Sequence, residues 1–88
     1  MKTYTLNGAP AVENCTGLAP DGEVDGVPVI LLDRLGREFR AACDATGLKT
    51  RALAALCGKT PTTFCNYFRG RSAPPPLVWR EVVARRLK

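Results

Sequence analysis

The sequence predicts an all-α domain of about four helices, preceded by a short N-terminal extension. Three observations carry this expectation. From Ile30 onward, apolar residues recur at intervals of three and four, the period of one helix face. Gly47, Gly58 and Gly70 fall where those periodic runs stop, as glycines do at left-handed helix ends. The first thirty residues are instead broken by Gly8, Pro10, Gly17, Pro20, Gly22, Gly26 and Pro28, which leaves no room for a helix.

Taken in order, Lys2-Thr-Tyr-Thr-Leu6 alternates and ends in Asn7-Gly8, a strand-and-turn signal. A second extended piece is expected around Val24 to Ile30, pairing with the first as a hairpin. Isolated two-stranded hairpins are marginal in water. Residues 1–28 therefore read as a flexible or partly extended acidic arm, and residues 29–88 as the folded domain. The first helix is expected over Val29 to Thr46, with Leu31, Leu32, Leu35, Phe39, Ala42, Cys43 and Thr46 inward and Arg34, Arg37, Glu38, Arg40 and Asp44 outward. A short second helix runs from Thr50, a suitable N-cap, to Cys57. Thr60-Pro61 starts the third, because a threonine caps well and proline suits the first helical position. It ends near Phe68. Ser72 to Pro76 is a stiff connector. The last helix, about 75–87, is expected to turn Leu77, Val78, Val82, Val83 and Leu87 inward, with Arg85, Arg86 and Lys88 at its dipole-favoured end. Leu35, Phe39, Leu53, Leu56 and Phe64 are expected to share one core.

Composition narrows the function. The chain of 88 residues contains no histidine, which removes imidazole catalysis and His-ligated metals. Its four cysteines, Cys15, Cys43, Cys57 and Cys65, contain no C-x-x-C pair, so they read as reduced, packed thiols and not as a zinc site. No metal, cofactor or catalytic constellation is implied. No apolar run reaches a membrane span of about 18 residues, and Met1 to Pro10 lacks the apolar centre of a secretory signal. A cytoplasmic protein is expected. The net charge of +5 is unevenly spread. Residues 1–30 set Lys2 against Glu13, Asp21, Glu23 and Asp25, a net −3, whereas residues 31–88 set twelve Lys or Arg against Asp33, Glu38, Asp44 and Glu81, a net +8. A basic domain of this kind suits a polyanion, because phosphate contacts release counterions.

Two short helices joined by a glycine-containing turn, inside such a domain, describe a helix-turn-helix. The stretch Leu53 to Gly70 resembles, without a gap, the signature of the Cro/CI-type (XRE-like) repressors. The matching positions are Leu53-Ala54, Gly58 in the turn, Thr60 as cap, Phe64 in the core, Tyr67 and Gly70. Leu35 to Leu48 is similar to that family's first helix. Lys59 and Phe68 depart from the pattern, and the fifth helix common in the family has no counterpart before Lys88. The Tyr67-Phe68 pair and the Ala73 to Pro76 connector also resemble small repressors encoded beside anti-CRISPR genes.

The resemblance implies a lambda-repressor-like fold and double-stranded DNA as partner. Carried over by position, it places Pro61, Thr62, Thr63 and Asn66 against base edges in the major groove. Asn66 is the sharpest of these, since its amide can pair bidentately with adenine. Cys65 is ranked as a packing thiol first. Phosphate contacts are expected from Lys49, Thr50, Arg51, Lys59, Arg69 and Arg71. The implied function is an autorepressor of a phage, plasmid or mobile-element operon, reading a palindromic operator as a homodimer. Trp79 and Phe68 are expected in the core or at a subunit interface. The competing reading is a protein-interaction module, such as an antitoxin or inhibitor, on the same scaffold.

Overall fold

The structure, a computed structural model, describes residues 3–87. It contains four strands followed by four helices: β1 (Thr3–Leu6), β2 (Ala9–Glu13), β3 (Gly22–Val24), β4 (Val27–Leu31), α1 (Leu32–Ala45), α2 (Thr50–Leu56), α3 (Pro61–Phe68) and α4 (Pro76–Ala84). The all-α expectation is thereby overturned. The fold is mixed, with a four-stranded antiparallel sheet in the order β1-β2-β4-β3.

Two hairpins build that sheet, and each closes on an Asx-Gly pair. Asn7 and Gly8 have φ of 52° and 80°, and Asp25 and Gly26 have φ of 52° and 78°. Two successive positive φ values make a turn whose twist matches the flanking strands, which is why asparagine or aspartate followed by glycine occupies it. Leu6 pairs with Ala9 across the first turn and Val24 with Val27 across the second. The hairpins join through β2 and β4, where Ala11, Val12 and Glu13 pair with Leu31, Ile30 and Val29. Thus β1 pairs with β2 and not with the Val24–Ile30 stretch expected from the sequence. Pro10 and Pro28 lie just outside this central ladder, so their missing N–H groups take no bond from it.

The sheet is packed on both faces. Val12 and Ile30 turn toward the helices and belong to one core with Leu35, Phe39, Leu53, Phe64, Val78, Trp79 and Val82. On the opposite face Ala11 and Val29 are fully buried, and the sheet curls until Leu6 of β1 lies over Gly22 of β3. The β2–β3 connection is pinned as well. Arg34 of α1 pairs with Asp21 at 3.3 Å, and the Trp79 indole N–H donates to the Thr16 carbonyl at 3.2 Å.

β4 passes into α1 without a loop, so Val29 to Leu31, expected as helix, are strand. Phe39 then centres an aromatic cluster that gathers the helices, with ring centroids 5.2 Å from Phe64, 5.6 Å from Tyr67 and 6.3 Å from Trp79. The two edge-on pairs, Phe39 with Phe64 and with Tyr67, add about 0.5–1.5 kcal/mol each beyond area burial. Three expected core leucines are instead exposed: Leu56 at 50%, Leu77 at 75% and Leu87 at 73%. The expected strand start at Lys2 and the terminal cation Lys88 lie outside the described residues.

Candidate nucleic-acid interface

The helix-turn-helix begins with α2, whose N-cap position is Lys49 and not Thr50; Thr50 is the first helical residue, and no side chain caps that end. Leu53 and Ala54 are the buried residues of α2, and the fully buried Ala54 lets α3 approach closely. The turn passes through Gly58 at φ 68°, and Lys59 N–H donates to the Ala54 carbonyl at 2.8 Å. The side chain of Thr60 caps α3 by accepting from the Thr63 N–H at 3.2 Å, with Pro61 in the first turn. This satisfies one of the donors a helix start leaves open.

Burial orients α3. Phe64 and Tyr67 are buried, and Thr63 and Phe68 are half-buried. The outward side carries Thr62, Cys65 and Arg69, all exposed, with Asn66 half-buried beside them. These positions are spaced three and four apart and form one stripe. The amide of Asn66 makes no hydrogen bond among the described residues. Thr63 is differently placed, its hydroxyl lying 2.9 Å from that of Thr60 and engaged in the cap. Pro61 is exposed at the first turn and offers shape without a donor. Cys65, expected beside this face as a packing thiol first and a contact second, is exposed in the middle of the stripe and does not pack.

The flanks are cationic. Lys49, Arg51, Lys59, Arg69 and Arg71 are all exposed, and Thr50 is half-buried. Among the described residues none of these five cations forms an ion pair, whereas Arg34 and Arg85 are matched by Asp21 and Glu81. Arg40 lies over the Phe68 ring, 5.7 Å from its centroid, on the α1 side of α3. The thiols of Cys43 and Cys57 are both raised by their surroundings. Burial, then the Asp44 carboxylate and Cys57, push Cys43 from 9.0 up to about 12. Burial foremost, followed by Glu81, also raises Cys57, against the smaller opposing pull of Arg85 and Lys59.

The position of α3 is set by two close backbone approaches. A Cβ on Gly36 of α1 would meet the Tyr67 and Phe68 carbonyl oxygens at 2.6 and 2.8 Å. One on Gly70, at φ 73°, would meet Asp33 Oδ1 at 2.8 Å. Glycine at both points lets the last turn of α3 lie directly on the first turns of α1.

Residues 34–87 match the model of the family described as helix-turn-helix domain, and the chain belongs to that family. Neither the curated proteins nor the solved structures include a match to the chain. Among the described residues no helix is long and apolar enough to cross a membrane.

Proposed function

We propose that this protein is a sequence-specific DNA-binding regulator of the Cro/CI type. In this reading it binds a palindromic operator as a homodimer and represses its own phage, plasmid or mobile-element operon. The observation that carries the reading is the outward stripe Thr62, Cys65, Asn66 and Arg69, bordered by cations that form no ion pair among the described residues. Stripe and border divide the work: base edges specify, whereas phosphates position and bind. Homodimerisation is supported by the leucines left outside the core, Leu77 and Leu87 at either end of α4 and Leu56 beside it. A lone reading helix rarely specifies enough sequence, and a two-fold dimer on two half-sites is the usual remedy.

Two substitutions test the division, titrated on the DNA upstream of the protein's own gene and on a scrambled duplex. Asn66→Ala removes a base contact at constant charge and is expected to cost about 1–3 kcal/mol on the operator and almost nothing on scrambled DNA. Arg71→Ala is expected to weaken both duplexes alike and to lower the salt slope by about one per half-site. Equal weakening of both duplexes by Asn66→Ala would remove it as the specificity residue. Binding unaffected by either change would favour the protein-interaction reading.

A further inference from the structure

A recess of about 180 Å³ opens between the end of β2, the start of α1 and the connector that leads into α4. Val12, Leu35, Ala73, Pro74, Pro76 and Trp79 form its apolar walls. Val12, Leu35, Pro74 and Trp79 are buried, whereas Cys15 and Pro76 are exposed at its mouth. No residue of the outward stripe of α3 lines it, so the DNA-facing surface leaves it free. Its volume slightly exceeds the roughly 150 Å³ of an apolar cavity known to take benzene.

The polar groups around the recess decide the charge of what fits. Among the described residues that line it, only Glu13 carries a charge. Successive strand residues face opposite sides, so Glu13 shares the Ala11 side of the sheet, and Val12 alone of the three turns to the helices. The carboxylate is therefore directed away from the recess. The indole N–H is committed to the Thr16 carbonyl at 3.2 Å. The Thr16 hydroxyl donates to Asn14 Oδ1 at 2.6 Å and accepts from the Leu18 N–H at 3.1 Å. What remains is the Cys15 thiol, a weak donor. An ion of either sign entering here would shed water and gain no partner of opposite charge. A hydrocarbon gains apolar contact on several sides. We propose that this recess binds a small uncharged molecule built on a single hydrocarbon ring, of about six to ten heavy atoms with at most a hydroxyl as its polar group.

The walls give occupancy a consequence. Ala73, Pro74 and Pro76 belong to the connector that follows α3, and Arg71, a proposed phosphate contact, lies two residues before Ala73. Leu35 directly precedes Gly36, whose backbone touches the last turn of α3. An occupant therefore bears on the segments that hold α3 and one of its flanking cations in place. This consequence rests on the DNA-binding reading, whereas occupancy itself does not.

Trp79 is the chain's one tryptophan, so its emission reports the recess directly. The full chain is titrated at neutral pH with benzyl alcohol, benzylamine and benzoate, following emission and Tm. These probes share a ring and differ in charge one carbon away from it. The alcohol is expected to saturate with Kd on the order of 1 mM or below and to raise Tm. Both ions are expected to bind at least about fivefold more weakly. Glu13→Gln is expected to leave all three affinities within about twofold, since its carboxylate faces the other side of the sheet and solvent. Ala73, whose side chain packs against the core, is replaced by leucine to fill the recess. With circular dichroism unchanged, Ala73→Leu is expected to weaken the alcohol at least about tenfold. The site is refuted if either ion binds as tightly as the alcohol, if Glu13→Gln abolishes binding of any probe, or if the alcohol gives no saturable response. A folded Ala73→Leu chain that binds the alcohol like the parent refutes it as well. Operator affinity is then measured with and without saturating alcohol, and a change of at least about threefold is expected. No change, with occupancy established, overturns the regulatory consequence alone, whereas a ligand-free chain that ignores the operator overturns the DNA-binding reading.

Discussion

Replacing Gly36 with alanine sets two effects against each other. In a helix interior alanine is favoured over glycine by about 1 kcal/mol, so the local preference is toward greater stability. Packing points the other way. The new Cβ would stand 2.6 Å from the Tyr67 oxygen, 2.8 Å from the Phe68 oxygen and 3.2 Å from the Gly70 nitrogen, where ordinary contact begins at 3.4 Å. All three are backbone atoms. They belong to a turn anchored by the buried Tyr67, so no side chain can swing aside. Relief requires the nearest carbonyl to retreat by about 0.8 Å, which separates α1 from α3. Overpacking of this kind costs about 1–3 kcal/mol, occasionally more, and it outweighs the helix preference. The expected net loss is about 1–2 kcal/mol, or roughly 4–8 °C in Tm for each kcal/mol. Thermal and urea unfolding by far-ultraviolet circular dichroism measure it, with an unchanged urea m-value showing that stability alone has moved. Gly58→Ala is the companion measurement. Nothing lies within 4 Å of its Cβ, so its cost, about 1 kcal/mol, comes only from the positive φ of 68°. A Gly36→Ala protein as stable as the parent, or more so, would refute the claim that this contact fixes α3 against α1.

Thr60→Ala removes the cap of α3 and should lower stability by about 1 kcal/mol, with Thr60→Ser restoring most of it in the same unfolding assay. An unchanged Tm would show that the cap hydrogen bond contributes nothing. Alkaline pH acts through Cys43, whose thiol is raised from 9.0 to about 12 in the fold. The unfolded chain gives up that proton first, so stability is fully present below about pH 9 and falls by about 1.4 kcal/mol per pH unit from there toward pH 12. Cys43→Ala should flatten the urea midpoint over this window by one proton's worth. The same slope in parent and variant would assign the effect elsewhere, the raised Cys57 and Tyr67 being next in line.

The helix-turn-helix was legible because its punctuation is local. Thr60-Pro61 caps and starts α3 using bonds three residues away, and Gly58 and Gly70 mark positive φ values that need no tertiary knowledge. The sheet was obscured for the opposite reason. Its strands are three to five residues long, too short for alternation to show, and Pro10 and Pro28 read as breakers when both sit outside the central ladder. Asp25-Gly26 was the available signal, a second two-residue turn between Val24 and Val27. The apolar run Val29 to Leu32 fits strand or helix equally until β2 claims its first three residues. Exposure of Leu56, Leu77 and Leu87 was illegible because periodicity names a face without saying what covers it. Cys65 is the reverse case: its residue type suggests packing, whereas the helix period places it outward, where it is exposed.

The first 28 residues pose the sharpest remaining test. Read from the sequence they are an arm, and a chain lacking them should stay folded and bind DNA weakly. The packing predicts otherwise. Val12 is 5% exposed within the helical core, and Leu18 packs against it from the β2–β3 connection. Full burial of a side chain of this size stabilises by about 1.5–3 kcal/mol. The Thr16–Trp79 hydrogen bond adds about 1 kcal/mol. With Val12 counted in full and the half-buried Leu18 at about half, losing these contacts removes about 3–6 kcal/mol, against a total stability of roughly 4–13 kcal/mol for a chain of this length. Deletion also uncovers Ile30, fully buried in the intact fold, and leaves β4 with neither neighbouring strand. Residues 29–88 alone are therefore expected to keep part of their helical circular dichroism but to lose the fixed near-ultraviolet signal of Trp79 and to bind a hydrophobic dye, as expanded states do. A truncated chain that melts cooperatively within about 5 °C of the parent, a loss of only about 1 kcal/mol, would show that the sheet is an appendage after all.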